Sequence, residues 1–218
     1  MPRASVLLRV ADAMKASAGQ LRRAGPSVIV IFGASGDLTR RKLMPSLFHL
    51  MCDGLLADDF AIIGVDRLPR DDAQFRDDIL GGIKEFHRGD EDLNIEVWQR
   101  FASRLFHVCG ELHDEATYSQ IGTRLAQLDA SITPNAGHLF YLAIPPSLYG
   151  DVIERLASSG VAPRVPQVAS RPWVRVIIEK PFGRSLASAE ALNATVRKAL
   201  AEHQVYRIDH YLGKETVQ

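Results

Sequence analysis

The chain has 218 residues, with 26 basic and 26 acidic side chains and therefore no net charge; 46% of residues are apolar and 24% charged, with 16 glycines and 11 prolines. These values exclude a disordered, low-complexity or collagen-like chain, and they argue against a nucleic-acid partner, which calls for a basic excess. No run of 18 apolar residues is present, so no membrane-spanning helix is expected.

The first 26 residues carry Arg3, Arg9, Lys15, Arg22 and Arg23 against Asp12. Arg9 interrupts Val6-Leu7-Leu8, which makes a poor export signal. Residues 1–26 read as a basic extension, amphipathic or frayed and disordered, ahead of the folded body, with an organelle transit peptide as the alternative. The two cysteines, Cys52 and Cys109, are too few for a disulfide framework or a four-cysteine zinc site. They read as core thiols of a reducing compartment, and with no export signal the expected location is cytoplasmic.

The first strand is expected at Val28 to Phe32, and a helix from Arg40 to Asp53 with Leu43, Leu47 and Leu50 as its apolar stripe. A second strand follows at Phe60 to Val65, then a polar helix from Asp71 to about His87, broken by Gly89-Asp90. A short helix at Ile95 to Ala102 leads to a strand at Leu105 to Cys109 and a helix from Glu115 to Leu128. Leu139 to Ile144 is the next strand, ended by Pro145-Pro146, with a helix over Leu148 to Ser158. Val161 to Pro172 reads as a loop. A strand at Val174 to Ile178, a helix from Glu190 to Ala201 and a strand at Val205 to Ile208 complete the series. Continuously apolar strands alternating with helices predict a doubly wound α/β domain, its mostly parallel sheet covered on both faces. Ligands in such folds bind beyond the carboxyl ends of the strands.

After the first strand stand Gly33, Ala34, Ser35, Gly36, Asp37, Leu38, Thr39 and Arg40, a glycine turn opening a helix. Such a turn lets backbone N–H groups approach a pyrophosphate. The full Gly-x-Gly-x-x-Gly pattern is not met, because Ile31 takes the place of the first glycine. An ordinary βα turn with Asp37 as helix cap is the plain alternative. After the second strand come Asp66, Arg67 and Arg70. An acid here favours a ribose 2′-hydroxyl and NAD; a guanidinium favours a 2′-phosphate and NADP. Both are present, so spacing leaves the choice open, with a solvated turn as the third reading. Tyr149 lies one turn beyond the proline pair and is more often a packing residue. Glu179-Lys180-Pro181-Phe182-Gly183 ends the fifth strand, and a cis Pro181 would aim Lys180 into the crevice. Asp209-His210-Tyr211-Leu212-Gly213-Lys214 ends the last. His210 and Lys214 share a face on a helical turn and suit a phosphate, and the Asp209 carboxylate suits orienting a histidine.

Three segments taken together, Gly33 to Lys42, Glu179 to Gly183 and Arg207 to Glu215, closely resemble the glucose-6-phosphate dehydrogenase family in order and spacing. The resemblance runs from about Val28 to Gln218. It implies a Rossmann-like domain over residues 27–206, with 207–218 opening the substrate-binding and catalytic domain. It implies oxidation of glucose 6-phosphate at C1 with NADP as hydride acceptor, giving 6-phosphogluconolactone and opening the pentose phosphate pathway. Gly33 to Arg40 would wrap the pyrophosphate and Arg67 would hold the 2′-phosphate, which tips the choice to NADP and leaves dual NAD/NADP use open through Asp66. Tyr149 would line the coenzyme site, Lys180 would sit between coenzyme and sugar, and His210, Tyr211 and Lys214 would bind the substrate phosphate. Family members are more than twice this length. The resemblance places the catalytic base, a histidine oriented by the residue matching Asp209, beyond Gln218. None of the seven histidines here matches it. The expectation is therefore a chain with negligible turnover alone; the alternative is a non-catalytic NADP-binding fragment or partner module. Family members form homo-oligomers through the part not matched here, so assembly is not carried over.

Overall fold

The computed structural model describes residues 23–86, 93–167, 172–183 and 185–209. Six strands form one sheet: β1 (Ser27–Phe32), β2 (Phe60–Asp66), β3 (Leu105–Cys109), β4 (Gly137–Leu142), β5 (Val174–Glu179) and β6 (Val205–Ile208). Every neighbouring pair is parallel, and the order is β3-β2-β1-β4-β5-β6. That is the doubly wound dinucleotide-binding order.

β1 and β2 are buried along their whole length, which is why their sequences are apolar without alternation. The two sheet faces still divide the side chains by the period of two. Val28, Val30 and Phe32 point to one layer, formed by α4 (Glu115–Ser131), α5 (Tyr149–Ser158) and α6 (Leu186–Ala199). Ile29 and Ile31 point to the other, formed by α1 (Met44–Cys52), α2 (Asp72–Phe86) and α3 (Ile95–Ala102). Asn94 caps α3 by accepting the Glu96 and Val97 amides, and Asp114 caps α4 by accepting the Ala116 amide. No helix among the described residues is long and apolar enough to cross a membrane.

Several expectations are corrected. The buried stripe of α1 is Met44, Pro45, Phe48 and Met51, one position along from the leucines, and Leu50 is exposed. Leu43 and Leu47 only flank the core. The cause is a π-helical turn over Thr39–Leu43 ahead of α1, whose i→i+5 bonding puts more residues in the turn and so rotates the following face. Cys52 follows the same rotation: it is exposed rather than a core thiol, and Cys109 is half-buried. β4 starts two residues early, at Gly137, because the Gly137 amide donates to the Pro26 carbonyl at 3.1 Å and His138 N–H donates to Trp173 at 2.7 Å. α6 starts at Leu186, four residues early, because the Ser185 hydroxyl accepts the Ser188 amide. Residues 23–26, assigned above to a frayed extension, are tied to the body. Arg23 donates to the Leu56 carbonyl at 2.8 Å and pairs with Asp58 at 2.7 Å. Residues 1–22 lie outside the described residues, as do His87 and the Gly89-Asp90 break.

Candidate coenzyme site

The chain runs outward to β3 on one side of β1 and to β6 on the other, so the loops after β1 and β4 part at the middle of the sheet. A cleft of about 470 Å³ opens there, walled by the loops after β1, β2, β3 and β4. It lies within the size range of small-molecule sites. A groove of about 580 Å³ between α5 and α6 is larger but contains none of the loop residues that follow the strands.

Gly33 sets the cleft's inner wall. Its φ is +83°, and a Cβ there would lie 2.2 Å from the Ala143 carbonyl oxygen. Only glycine lets the turn after β1 lie so close to the end of β4. The Gly33 and Ala34 amides donate to the Val65 carbonyl at 2.9 and 3.2 Å, and the Thr39 hydroxyl donates to the Gly33 carbonyl at 2.9 Å. The turn is therefore fixed from both sides. Helical backbone begins at Asp37 itself, so Asp37 is not the cap; its exposed carboxylate pairs with Arg41 at 3.6 Å. Arg40 is turned away to Glu85 on α2.

The end of β2 carries a buried ionic cluster that sequence reasoning missed. Asp66 accepts the Leu68 amide at 2.9 Å, lies 3.2 Å from His107 Nε2, and pairs with Arg70. Arg70 also pairs with Asp78 and sits over the Phe75 ring at 4.9 Å. His107 Nδ1 lies 3.0 Å from the Arg70 carbonyl oxygen. Arg70 is thus withdrawn from the nucleotide role considered for it. The only advance signal was the four-residue spacing of Asp66 and Arg70; His107, a strand residue 41 positions away, gave none. Arg67 stands exposed on the cleft wall, and its guanidinium has no ion pair among the described residues.

Burial alone would push the Asp66 carboxyl up; the hydrogen bonds from His107 and Leu68 and the Arg70 charge more than offset this and hold it below its ordinary value of 3.8. A lowered carboxyl stabilises the fold above the unfolded value and loses that contribution as pH falls through the folded one. The melting-temperature gap between wild type and Asp66→Asn should therefore be widest above about pH 5 and close on acidification below about pH 4. Thermal melts across pH 6 to about 2.5 check this; a gap independent of pH would remove the carboxylate from the account.

At the end of β5, Glu179 is buried and accepts the Tyr141 hydroxyl. Burial, then the hydrogen bond to Glu179, pushes the Tyr141 phenol well up. Tyr149 is also buried, with its hydroxyl side near Glu179, and burial raises it too. A 3₁₀ turn over Pro146–Leu148 precedes it, so Pro145 and Leu148, rather than Tyr149, face the cleft. The Lys180–Pro181 peptide is cis. Lys180 Nζ pairs with Asp209 at 2.6 Å, joining the ends of β5 and β6. His210, Tyr211 and Lys214 lie outside the described residues. Of the residues expected at a coenzyme, the cleft wall brings together Gly33, Ser35, Gly36, Asp66 and Arg67. Ala34 and Thr39 are buried behind them, Leu38 is half-buried, and Tyr149 and Lys180 stand outside the wall.

The family model for the glucose-6-phosphate dehydrogenase NAD binding domain matches residues 30–218. The chain belongs to the glucose-6-phosphate dehydrogenase family. It is 41% identical to glucose-6-phosphate 1-dehydrogenase of Chlamydia pneumoniae over 197 residues, which cover 90% of this chain and 38% of that protein. The Bacillus subtilis enzyme is 38% identical over 192 residues, 88% of this chain and 37% of its own. Among solved structures, a glucose-6-phosphate dehydrogenase in complex with its substrate glucose 6-phosphate superposes with a TM-score of 0.74 at 31% identity, over 89% of this chain and 38% of that one. The Mycobacterium avium enzyme superposes with a TM-score of 0.70 at 32% identity, over 87% and 37%. The chain thus spans a little over a third of the length of these family members.

Proposed function

We propose that this chain is the coenzyme-binding part of a glucose-6-phosphate dehydrogenase and that its cleft takes NADP. The observation that carries the reading is Arg67, a cation without an ion pair among the described residues, on the wall of a cleft that the Gly33 turn also lines. The dinucleotide fits that geometry. The Gly33 turn admits a pyrophosphate against backbone and the helix N-terminus at Asp37, and Arg67 suits a dianionic 2′-phosphate. Leu68, Leu112, Pro145 and Leu148 supply apolar wall for a flat base.

When bound, NADP supplies the hydride acceptor for oxidation of D-glucose 6-phosphate at C1 to 6-phosphoglucono-1,5-lactone, the first step of the oxidative pentose phosphate pathway. The residues of this chain bind and orient. Lys180 stands at the β5 end toward the sugar, and His210, Tyr211 and Lys214 take the sugar phosphate. Asp209 is assigned to orienting a histidine base, which we place in the part of the family's length these residues do not span. Residues 27–206 form the dinucleotide-binding domain and 207–218 the approach to the catalytic one. The reading places the protein in the cytoplasm.

The test is calorimetric titration of the chain with NADP and NAD. A hydrogen-bonded charge pair contributes about 1.5–3 kcal/mol, so Arg67→Ala should weaken NADP by roughly 10–100-fold. NAD, which lacks the 2′-phosphate, should change by less than about threefold. Equal losses for both nucleotides would detach Arg67 from the 2′-phosphate.

A further inference from the structure

Asp66 and Arg67 are neighbours at the one position where an acid selects NAD and a guanidinium selects NADP. The structure treats the two side chains oppositely. Both residues line the cleft, but Arg67 is exposed, whereas the Asp66 side chain is 5% exposed and lies among the side chains of His107 at 1% and Arg70 at 8%. Burying such a set is costly unless its members are paired, and an apolar set of the same volume is often as stable. The cluster does something an apolar set would not: it occupies both Asp66 oxygens. Oδ1 takes the Leu68 amide and faces His107 Nε2, and Oδ2 takes Arg70. Both oxygens are engaged on a side chain only 5% exposed, which disfavours a ribose hydroxyl there, and the adjacent guanidinium offsets the negative charge a 2′-phosphate would meet. Arg70 is itself fixed, by Asp78 on α2 and by Phe75 beneath it. The His107 amide is held by Asp72 at 2.7 Å, so the cluster is anchored in the α2 layer.

We infer that Arg70 and His107 are positioning residues for coenzyme choice: they keep the Asp66 carboxylate buried and engaged at the cleft wall and leave Arg67 as the charge that reads the 2′ position. The inference rests on the coenzyme reading above. It makes NADP preference a property of a carboxylate withdrawn as well as of an arginine presented.

The experiment compares wild type, Asp66→Asn, Arg70→Met and the double variant, with NADP and NAD affinities measured by calorimetry on the full chain. Asp66→Asn should leave both affinities within about threefold, because the carboxylate is already withdrawn and neutralised. Arg70→Met frees it, so the preference for NADP over NAD should fall by at least about tenfold. The double variant should return the preference to within about threefold of wild type, a rescue that a merely structural role for Arg70 would not produce. If Arg70→Met does not fold, Asp66→Asn decides alone: a rise in NADP preference of more than about tenfold means the carboxylate already acts on the nucleotide, and the inference is overturned. Wild type that binds NADP, with a preference untouched in Arg70→Met, sinks the inference and spares the coenzyme reading. Wild type that binds neither nucleotide sinks both.

Discussion

Gly33→Val is expected to abolish coenzyme binding, with an affinity loss of at least about a hundredfold, and to lower the melting temperature at the same time. Two independent effects add. The left-handed φ of +83° is strained for any side chain, by about 1–3 kcal/mol. The new Cβ would also lie 2.2 Å from the Ala143 carbonyl oxygen, and backbone at a strand end cannot swing aside as a side-chain tip does. The turn after β1 must lift away from β4, and that movement fills the space where a pyrophosphate meets the helix N-terminus. Calorimetry with NADP and a thermal melt read the two effects separately. Binding within about threefold of wild type in a folded variant would show that the Gly33 turn does not meet the nucleotide.

Gly64→Val is expected to be strongly damaging to the sheet, destabilising by about 3 kcal/mol or more and lowering the melting temperature by roughly 6–12 °C. Gly64 pairs with Ile31 on one side and His107 on the other. A Cβ there would lie 2.4 Å from the Phe75 ring and 2.8 Å from the Ala34 Cβ. Phe75 is fully buried, stacks against His107 with ring centroids 5.2 Å apart, and lies under Arg70. A residue that pushes Phe75 out therefore disturbs the Asp66 cluster as well as the core. Trimming the ring in a Gly64→Ala/Phe75→Leu double variant should recover part of the loss relative to Gly64→Ala, a coupling that chemical denaturation measures. Strict additivity would mean the two residues do not share the space.

The fold was legible because its strands are buried on both faces. Val28-Ile29-Val30-Ile31-Phe32 and Phe60-Ala61-Ile62-Ile63-Gly64-Val65 declare parallel strands by composition alone, and the alternation with helical segments supplies the topology. Boundaries failed where a partner elsewhere in the chain decided them. Gly137 and His138 carry little strand propensity and pair because Pro26 and Trp173 present carbonyls to them. Leu43, Leu47 and Leu50 make as good a helical stripe as the one buried, and a π-helical turn chooses between the two.

The site was legible to the same degree and for related reasons. Gly33, Gly36 and Arg67 reach the cleft wall through local backbone or through exposure at a strand end, which the order of elements predicts. Asp66 was visible as an acid in the right place, yet its meaning depends on His107 of β3 and Asp78 of α2, and neither is near it in sequence. Tyr149 shows the same limit. Its position one turn past two prolines is plain, but the 3₁₀ turn that points it inward is a matter of tertiary geometry.

The strand order also bears on how the molecule is assembled. β1 pairs with β2 across about 33 residues and with β4 across about 110, so the middle of the sheet closes over the longest span among its pairings. Such closures make parallel sheets slow to form and expose their edges meanwhile. A half-molecule of β1, β2 and β3 would own the Gly33 turn and Arg67 but not the Ala143 wall facing them. The cleft is thus completed only when the two halves meet. A nucleotide that recognises only the joined sheet would favour that union by mass action, by about 2.7 kcal/mol at a hundredfold excess over its dissociation constant.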